Sequence, residues 1–280
     1  MTKKHRAFLK WAGGKFKLVD ELSKHLPKGQ RLVEPFVGAG SVFLNTHFDD
    51  YLLCDINQDL INLYEIVKQK PDAYIKATKA LFVAEMNNKE AYYQIRTDFN
   101  LSRDPFTRSV YFLYLNRFGF NGLCRYNRKG GFNVPFGSYK KPYFPEAEIR
   151  HFSAKAKNAT FKCIGYEGAF ALAKEGDVIY CDPPYAPLST TASFTTYAGP
   201  GFSLDDQALL ARHSRHTAHK RNIPVLISNH DIALTRELYR GAKLATISVQ
   251  RNISQKGASR IKVDEIMALY DHHYCDDEEN

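Results

Sequence analysis

The sequence predicts an α/β protein: an open, mainly parallel sheet carrying an inserted segment that is helical first and a β-hairpin afterwards. Three observations carry this expectation. Short apolar runs recur along the chain, as in strands buried on both faces. Helical patterns separate several of them, the alternation that builds parallel sheets. Between about Asn57 and Tyr143 the strands stop, and a long helical stretch gives way to glycine and aromatic residues.

Taken in order, the first strand is expected at Arg31–Glu34 and leads through a glycine loop into a helix near Ser41–His47. Tyr51–Asp55 follows as the second strand. The insertion spans 57–143 and ends in "RFGFNGLCRYNRKGGFNVPFGSYKKPYF", with "RKGG" as the hairpin turn. Strands then recur at Thr160–Ile164, Val178–Asp182, Pro224–Ser228, Leu244–Val249 and Glu265–Tyr270, with helices at Ser203–Lys220 and Ile232–Arg240. Residues 1–56 and 144–280 would form one domain around the insertion. A chain of 280 residues suits one α/β domain with such an insertion, and 44% hydrophobic residues suffice for a core.

The formal charge is +9 although the last residues, "DDEEN", are acidic, so the body fits a polyanionic partner. Cys54, Cys124, Cys163, Cys181 and Cys275 form no C-x-x-C pair; packed, reduced thiols are expected, with neither a disulfide framework nor a metal site. "MTKKHRAFLKWAGG" lacks the apolar centre of a signal peptide, and no run reaches the roughly eighteen apolar residues that span a membrane. A soluble, cytoplasmic protein without a membrane partner is expected.

The stretch "VIYCDPPYAPL" ends a buried strand on an acid and two prolines. Pro183 and Pro184 cannot donate to a ladder and fix their own φ, so Asp182 and Tyr185 stand on stiff backbone beyond the sheet. A plainer account is a strand stopped by proline with a capping Asp. The chemical account starts from an exocyclic amine on a nucleobase, whose lone pair is delocalised into the ring. The Asp182 carboxylate and the Pro183 carbonyl, each accepting one N–H, would localise that lone pair and stabilise the charge that develops on attack. Tyr185 could stack on the base. A base in a duplex would have to be flipped out to reach them.

Upstream, "VEPFVGAGSVFLN" runs from a strand through Gly38 and Gly40 into a helix, letting backbone approach a ligand closely. "YLLCDIN" then ends a strand on Asp55, where an acid can hold the hydroxyls of a ribose. Together they suggest a nucleoside-bearing cofactor. The spacing is not G-x-G-x-x-G, which disfavours a nicotinamide, and "WAGGKFK" lacks P-loop spacing. Tyr166 follows a strand and could touch the cofactor's adenine, with packing the plainer role.

With these residues in view, the chain resembles the S-adenosylmethionine-dependent amino-methyltransferases of DNA. In "FLKWAGGK", "LVEPFVGAGSVF", "LYLNRFGFNGLCRYN", "FNVPFG" and "ISNHD" it is similar to the Dam-type DNA adenine methyltransferases that act on GATC. The likeness covers roughly Arg6 to Tyr270, in the order cofactor loop, recognition insertion, catalytic tetrapeptide. It implies a Rossmann-like methyltransferase sheet, S-adenosylmethionine as cofactor, S-adenosylhomocysteine as product, and no metal. Trp11, Lys15, Phe36, Gly38, Gly40 and Asp55 would bind the cofactor. Asp182, Pro183, Pro184 and Tyr185 would form the catalytic tetrapeptide, Asp182 also touching the cofactor. Phe120 would wedge into the duplex beside Asn121; Arg125 would read a guanine edge. Leu123 and Pro135 would touch neighbouring base pairs and Lys10 the outer guanine.

Two positions depart from the resemblance: Phe120 stands where Tyr is familiar, and Ser138 where a basic residue is expected. The implied enzyme is a monomer on double-stranded DNA, associated with the nucleoid, with no obligate protein partner. Methylation of the cytosine amino group is the nearest rival, disfavoured because Asp182 is not Ser. The other rival is a methyltransferase fold that binds DNA without activity, against which stand the intact Asp182, Tyr185 and Asp55.

Overall fold

Residues 4–187, 202–248 and 264–272 are described by a computed structural model. Among the described residues there are seven strands, most of them separated by helices: β1 (Arg31–Glu34), β2 (Asp50–Asp55), β3 (Ala159–Cys163), β4 (Asp177–Cys181), β5 (Val225–His230), β6 (Lys243–Ile247) and β7 (Glu265–Tyr270). They form one sheet in the order β3-β2-β1-β4-β5-β7-β6. β1 runs parallel to β2 and to β4, and β4 parallel to β5, while β7 is antiparallel to both neighbours. The sheet is the open, mainly parallel one expected, with β7 the exception that its short apolar run did not reveal.

The order has a functional consequence. From β1 the chain steps outward to β2 and β3, then returns to lay β4 on the other side of β1. The carboxyl ends of β1 and β4 therefore flank the point where the strand order reverses, the place where open α/β sheets bind ligands. β4 is buried along its whole length. It stops at Cys181, paired with Ile227. The expected strand included Asp182; instead that residue stands just outside, because Pro183 brings no N–H to continue the ladder.

The chain divides into two compact units. One comprises residues 18–36, 48–54 and 164–280. Its core packs Val33, Ile179, Val225, Ile227 and Ile266 against helices α8 (Tyr166–Leu172) and α9 (Leu204–Arg221) through Ala169, Phe170 and Leu210. Ser203 caps α9: its hydroxyl accepts the Asp206 N–H at 3.1 Å while the Asp206 carboxylate accepts the Ser203 N–H at 2.7 Å. The next helix, α10 (Ala233–Leu238), is shorter than its pattern suggested.

The other unit comprises residues 1–17, 37–47 and 55–163. It holds α2 (Ser41–Asn45), α3 (Gln58–Gln69), α4 (Pro71–Lys79), α5 (Lys89–Leu101), α6 (Pro105–Phe118) and α7 (Glu146–Lys155). Side-chain caps from Asn57, Asn88 and Asp104 start α3, α5 and α6, and Pro105 sits in the first turn of α6. α6 is buried nearly all round, Asn116 and Arg117 included. Their polar atoms are satisfied by backbone: Asn116 serves Lys10 and Gly122, and Arg117 donates to the Phe8 carbonyl at 3.1 Å.

The expected hairpin forms through two antiparallel bridges, Gly119↔Phe136 and Tyr126↔Phe132, not through long strands. Its turn opens one residue before "RKGG", at Asn127, whose carboxamide oxygen accepts the N–H groups of Lys129 at 2.9 Å and Gly131 at 3.0 Å. Among the described residues no helix is long and apolar enough to cross a membrane. Val249 and Cys275 lie outside the described residues.

Candidate functional site

Beyond β4, Asp182 and Tyr185 are half-buried, Pro183 is buried and Pro184 exposed. Each polar end of the tetrapeptide is held. The Ser228 hydroxyl, fully buried on β5, donates to Asp182 Oδ1 at 3.1 Å and lies 2.9 Å from the Tyr180 hydroxyl. Tyr185 donates its hydroxyl to Glu265 Oε2 at 2.8 Å, and the His230 ring meets it edge-on at 4.8 Å between centroids. The ring therefore cannot turn without breaking a bond to a buried carboxylate, since Glu265 is fully inaccessible. In the same unit Phe36, just past β1, stacks on Tyr166 at 5.8 Å, and Phe202 meets both rings edge-on. Burial pushes the Tyr166 hydroxyl up to about 12, so it remains a neutral packing ring.

The other residues expected to bind the cofactor belong to the other unit. Gly38 has φ 46°, and a Cβ there would fall 2.9 Å from Trp11 Nε1, so the indole packs directly on loop backbone that only glycine allows. The Gly40 N–H closes the loop onto the Val37 carbonyl at 2.8 Å. Asp55 spans the loop and the start of α3: one oxygen accepts the Gly38 N–H at 3.2 Å and the other the Asn57 N–H at 2.9 Å. Burial raises the Asp55 carboxyl above its ordinary range, opposed by N–H groups of Asn57, Gly38 and Ile56. Tyr64 donates its hydroxyl to the Gly38 carbonyl. Lys15 is buried, with its ammonium 3.0 Å from the Gly13 carbonyl. A loop stripped of side chain at Gly38, an indole and a carboxylate together fit a nucleoside-bearing cofactor.

The expected DNA-reading residues also gather in this unit. Asn116 ties both backbone groups of Lys10 and the Gly122 carbonyl to α6, and a Cβ at Gly122 would collide with the Lys10 stem. Phe120 is 41% exposed, a large apolar group that the described residues do not fully cover. Its N–H bonds the carbonyl of exposed Pro135 at 2.8 Å. Asn121 adopts φ 54° with its N–H on the Tyr139 hydroxyl at 2.9 Å, while the Lys10 ammonium lies 4.0 Å over that same ring. Burial, then the charge of Arg117, lower the pKa of Lys10. Leu123 is half-buried beside them. On the hairpin, Arg125 is set by Asn133: Nε donates to Oδ1 at 2.8 Å and Nη2 to the carbonyl at 3.2 Å.

The residues that sequence reading missed are those that hold others: Tyr139 under Lys10 and Asn121, Glu265 behind Tyr185, Ser228 behind Asp182. "ISNHD" pointed at Ser228 through resemblance alone. Glu265 carried no local signal, being 80 positions from its partner.

Comparison with known proteins identifies the family of the chain. The family model described as D12 class N6 adenine-specific DNA methyltransferase matches residues 11–253. The chain is 63% identical over 271 residues to the DNA adenine methylase of Vibrio cholerae serotype O1, covering 97% of this chain and 98% of that one. It is 61% identical to that of Escherichia coli over 96% of each chain. Against the enzyme of Serratia marcescens the identity is 55%, over 96% of this chain and 99% of its relative.

Proposed function

We propose a finer mechanism from a settled premise: this chain belongs to the D12 class of N6 adenine-specific DNA methyltransferases and is an adenine-specific DNA methyltransferase. Its substrate is the adenine of GATC sites in double-stranded DNA, flipped from the stack so that its amino group meets Asp182. The observation that carries this reading is the tetrapeptide beyond β4, with an acid and a ring each anchored from behind by β5 and β7.

In this reading the Asp182 carboxylate and the Pro183 carbonyl each accept one N–H of the amine. They draw its lone pair out of the ring and oppose the positive charge that grows on nitrogen. Tyr185 stacks on the base, recovering part of the few kcal/mol spent on flipping. Bound S-adenosylmethionine would supply an electrophilic sulfonium methyl; as the amine nitrogen takes the methyl the C–S bond breaks, S-adenosylhomocysteine departs, and the surplus N–H proton is released from the amine. Asp55 would hold the cofactor's ribose hydroxyls, and Trp11, Lys15, Phe36 and the Gly38–Gly40 backbone would bind the rest of it. The residues of 57–143 form the target-recognition insertion. Phe120 wedges the duplex with Asn121 beside it, Arg125 and Lys10 read guanine edges, and Leu123 and Pro135 make apolar contacts to bases. The enzyme acts as a monomer, needs no metal, and works in the cytoplasm on nucleoid DNA.

Duplexes incubated with the enzyme and S-adenosylmethionine, then cut with nucleases that differ in sensitivity to GATC methylation, test the site. Protection confined to GATC supports it; methylation spread over other adenines contradicts it. A narrower result is expected at the hairpin. Arg125→Ala should cost about 1–3 kcal/mol of discrimination at one base pair. Competition binding with single-base variants of the site measures this, and equal weakening on all sequences would reassign Arg125 to a phosphate.

A further inference from the structure

We infer that Gln207 and Asn229, which touch neither base nor cofactor in the reading above, are positioning residues that set the catalytic tetrapeptide through a one-directional chain of buried amides. The inference rests on the clamp reading of Asp182 and Pro183.

Two adjacent prolines create the need. Pro183 and Pro184 have no N–H, so the backbone of the loop can be fixed from its framework only through carbonyls or through the N–H groups that follow. Both kinds of handle are used. Gln207 donates Nε2 to the Pro184 carbonyl at 2.7 Å, and Asn229 Oδ1 accepts the Ala186 N–H at 3.0 Å. The two carboxamides are joined, Asn229 Nδ2 donating to Gln207 Oε1 at 3.0 Å and to the Tyr239 hydroxyl at 2.8 Å. The Tyr239 hydroxyl in turn lies 3.4 Å from Gln207 Oε1. Gln207, Asn229 and Tyr239 are all buried, at 1%, 0% and 0% exposure.

The ends dictate the polarity. A carbonyl at Pro184 demands the amino end of Gln207, which leaves its oxygen to accept from Asn229. The Asn229 oxygen is then aimed at Ala186. Turning either carboxamide over would set donor against donor at Ala186 or acceptor against acceptor at Pro184, and burial makes such a mismatch costly. The chain also draws on three separate elements. Gln207 lies one residue past the capping box of α9, Asn229 sits near the end of β5, and Tyr239 directly follows α10. His230 adds a last hold, its Nδ1 being 2.8 Å from the Ala186 carbonyl. The peptide units on both sides of Tyr185 are therefore fixed to the framework, and the orientation of Asp182–Pro183 follows from theirs.

The test compares Gln207→Ala and Gln207→Met in the full-length enzyme. Met keeps the length and fills the volume but offers no donor. Single-turnover methyl transfer at saturating S-adenosylmethionine and GATC duplex should fall about tenfold to a hundredfold, the scale of a misplacement near 1 Å. Affinity for the duplex should stay within about threefold, because the loss falls on kcat and not on binding. Hydrogen exchange at the Ala186 amide should quicken in both variants, reporting the far end of the chain without any turnover. A purely structural role would lower the melting temperature and leave the rate of the folded fraction and the Ala186 exchange unchanged. That result overturns the inference, and if Gln207→Ala does not fold, Gln207→Met decides alone. Asp182→Ala is assayed in parallel. Transfer by that variant removes the clamp reading itself, whereas an inactive Asp182→Ala beside wild-type Gln207 variants removes only the amide chain.

Discussion

Asp182→Ala is expected to lose methyl transfer by more than the 10²- to 10³-fold typical of removing one preorganised electrostatic contact, about 3–4 kcal/mol. Binding of GATC duplex should be almost untouched. The size follows from geometry. The variant removes both the charge and one of the two acceptors assigned to the amine, leaving the nitrogen lone pair in the ring. The fold should tolerate the change. Ser228, which donates to Asp182 at 3.1 Å, also lies 2.9 Å from the Tyr180 hydroxyl and 3.5 Å from the Cys181 carbonyl, so its buried hydroxyl keeps partners. Asp182→Asn separates charge from shape, keeping an acceptor oxygen without the negative charge, and should fall between wild type and Ala. Single-turnover assays at saturating cofactor, with duplex affinity measured beside them, check the ordering. Turnover within a few-fold of wild type in either variant would remove Asp182 from the chemistry.

What was legible in advance divides by distance along the chain. β2 and β4 announce themselves by short apolar runs, as strands buried on both faces do, and β1 by a shorter one, Leu32–Val33, between Arg31 and the buried Glu34. The stop at Pro183 is equally local, although the strand ends one residue sooner than read. The glycine loop, Asp55 and the tetrapeptide were found because each is a short motif. What escaped is whatever one distant residue does for another. The antiparallel setting of β7 depends on its neighbours β5 and β6, and nothing inside "EIMALY" records it. Glu265 reads as a strand-edge acid until Tyr185 is seen donating to it. Gln207 reads as one more polar residue in a helix whose exposed face is full of them. Tyr139 looked like part of a basic, aromatic stretch, yet its hydroxyl and ring organise both Asn121 and Lys10. Motifs name the groups assigned to substrate and cofactor; the residues that hold those groups are set by tertiary contacts, which carry no pattern.

Asp55 supports the second large effect, and here cofactor affinity and stability should respond to pH in opposite directions. Burial holds the Asp55 carboxyl above the usual carboxylate range. Across the window between that ordinary value and the raised one, the folded protein binds more protons than the unfolded chain. Stability from this group therefore falls as pH rises through the window, and above it the full cost of burying the charge remains. The assigned role needs the charged form, since only the carboxylate can accept from Gly38 and Asn57 and still offer lone pairs to ribose hydroxyls. Affinity for S-adenosylmethionine should accordingly rise over the same window in which thermal stability declines. Asp55→Asn tests the coupling. It deletes the buried charge but retains one acceptor oxygen where two N–H groups wait on two oxygens, so one of them must face an amino group. Losing a charge-assisted hydrogen bond costs about 1.5–3 kcal/mol, or roughly tenfold to a hundredfold in cofactor affinity. Calorimetric titration with S-adenosylmethionine, from neutral pH down toward the ordinary carboxylate range, should show this deficit at the upper end, narrowing toward the lower as the wild-type carboxyl takes up its proton. A wild-type affinity for Asp55→Asn at neutral pH would leave Asp55 as a tether for the glycine loop and nothing more.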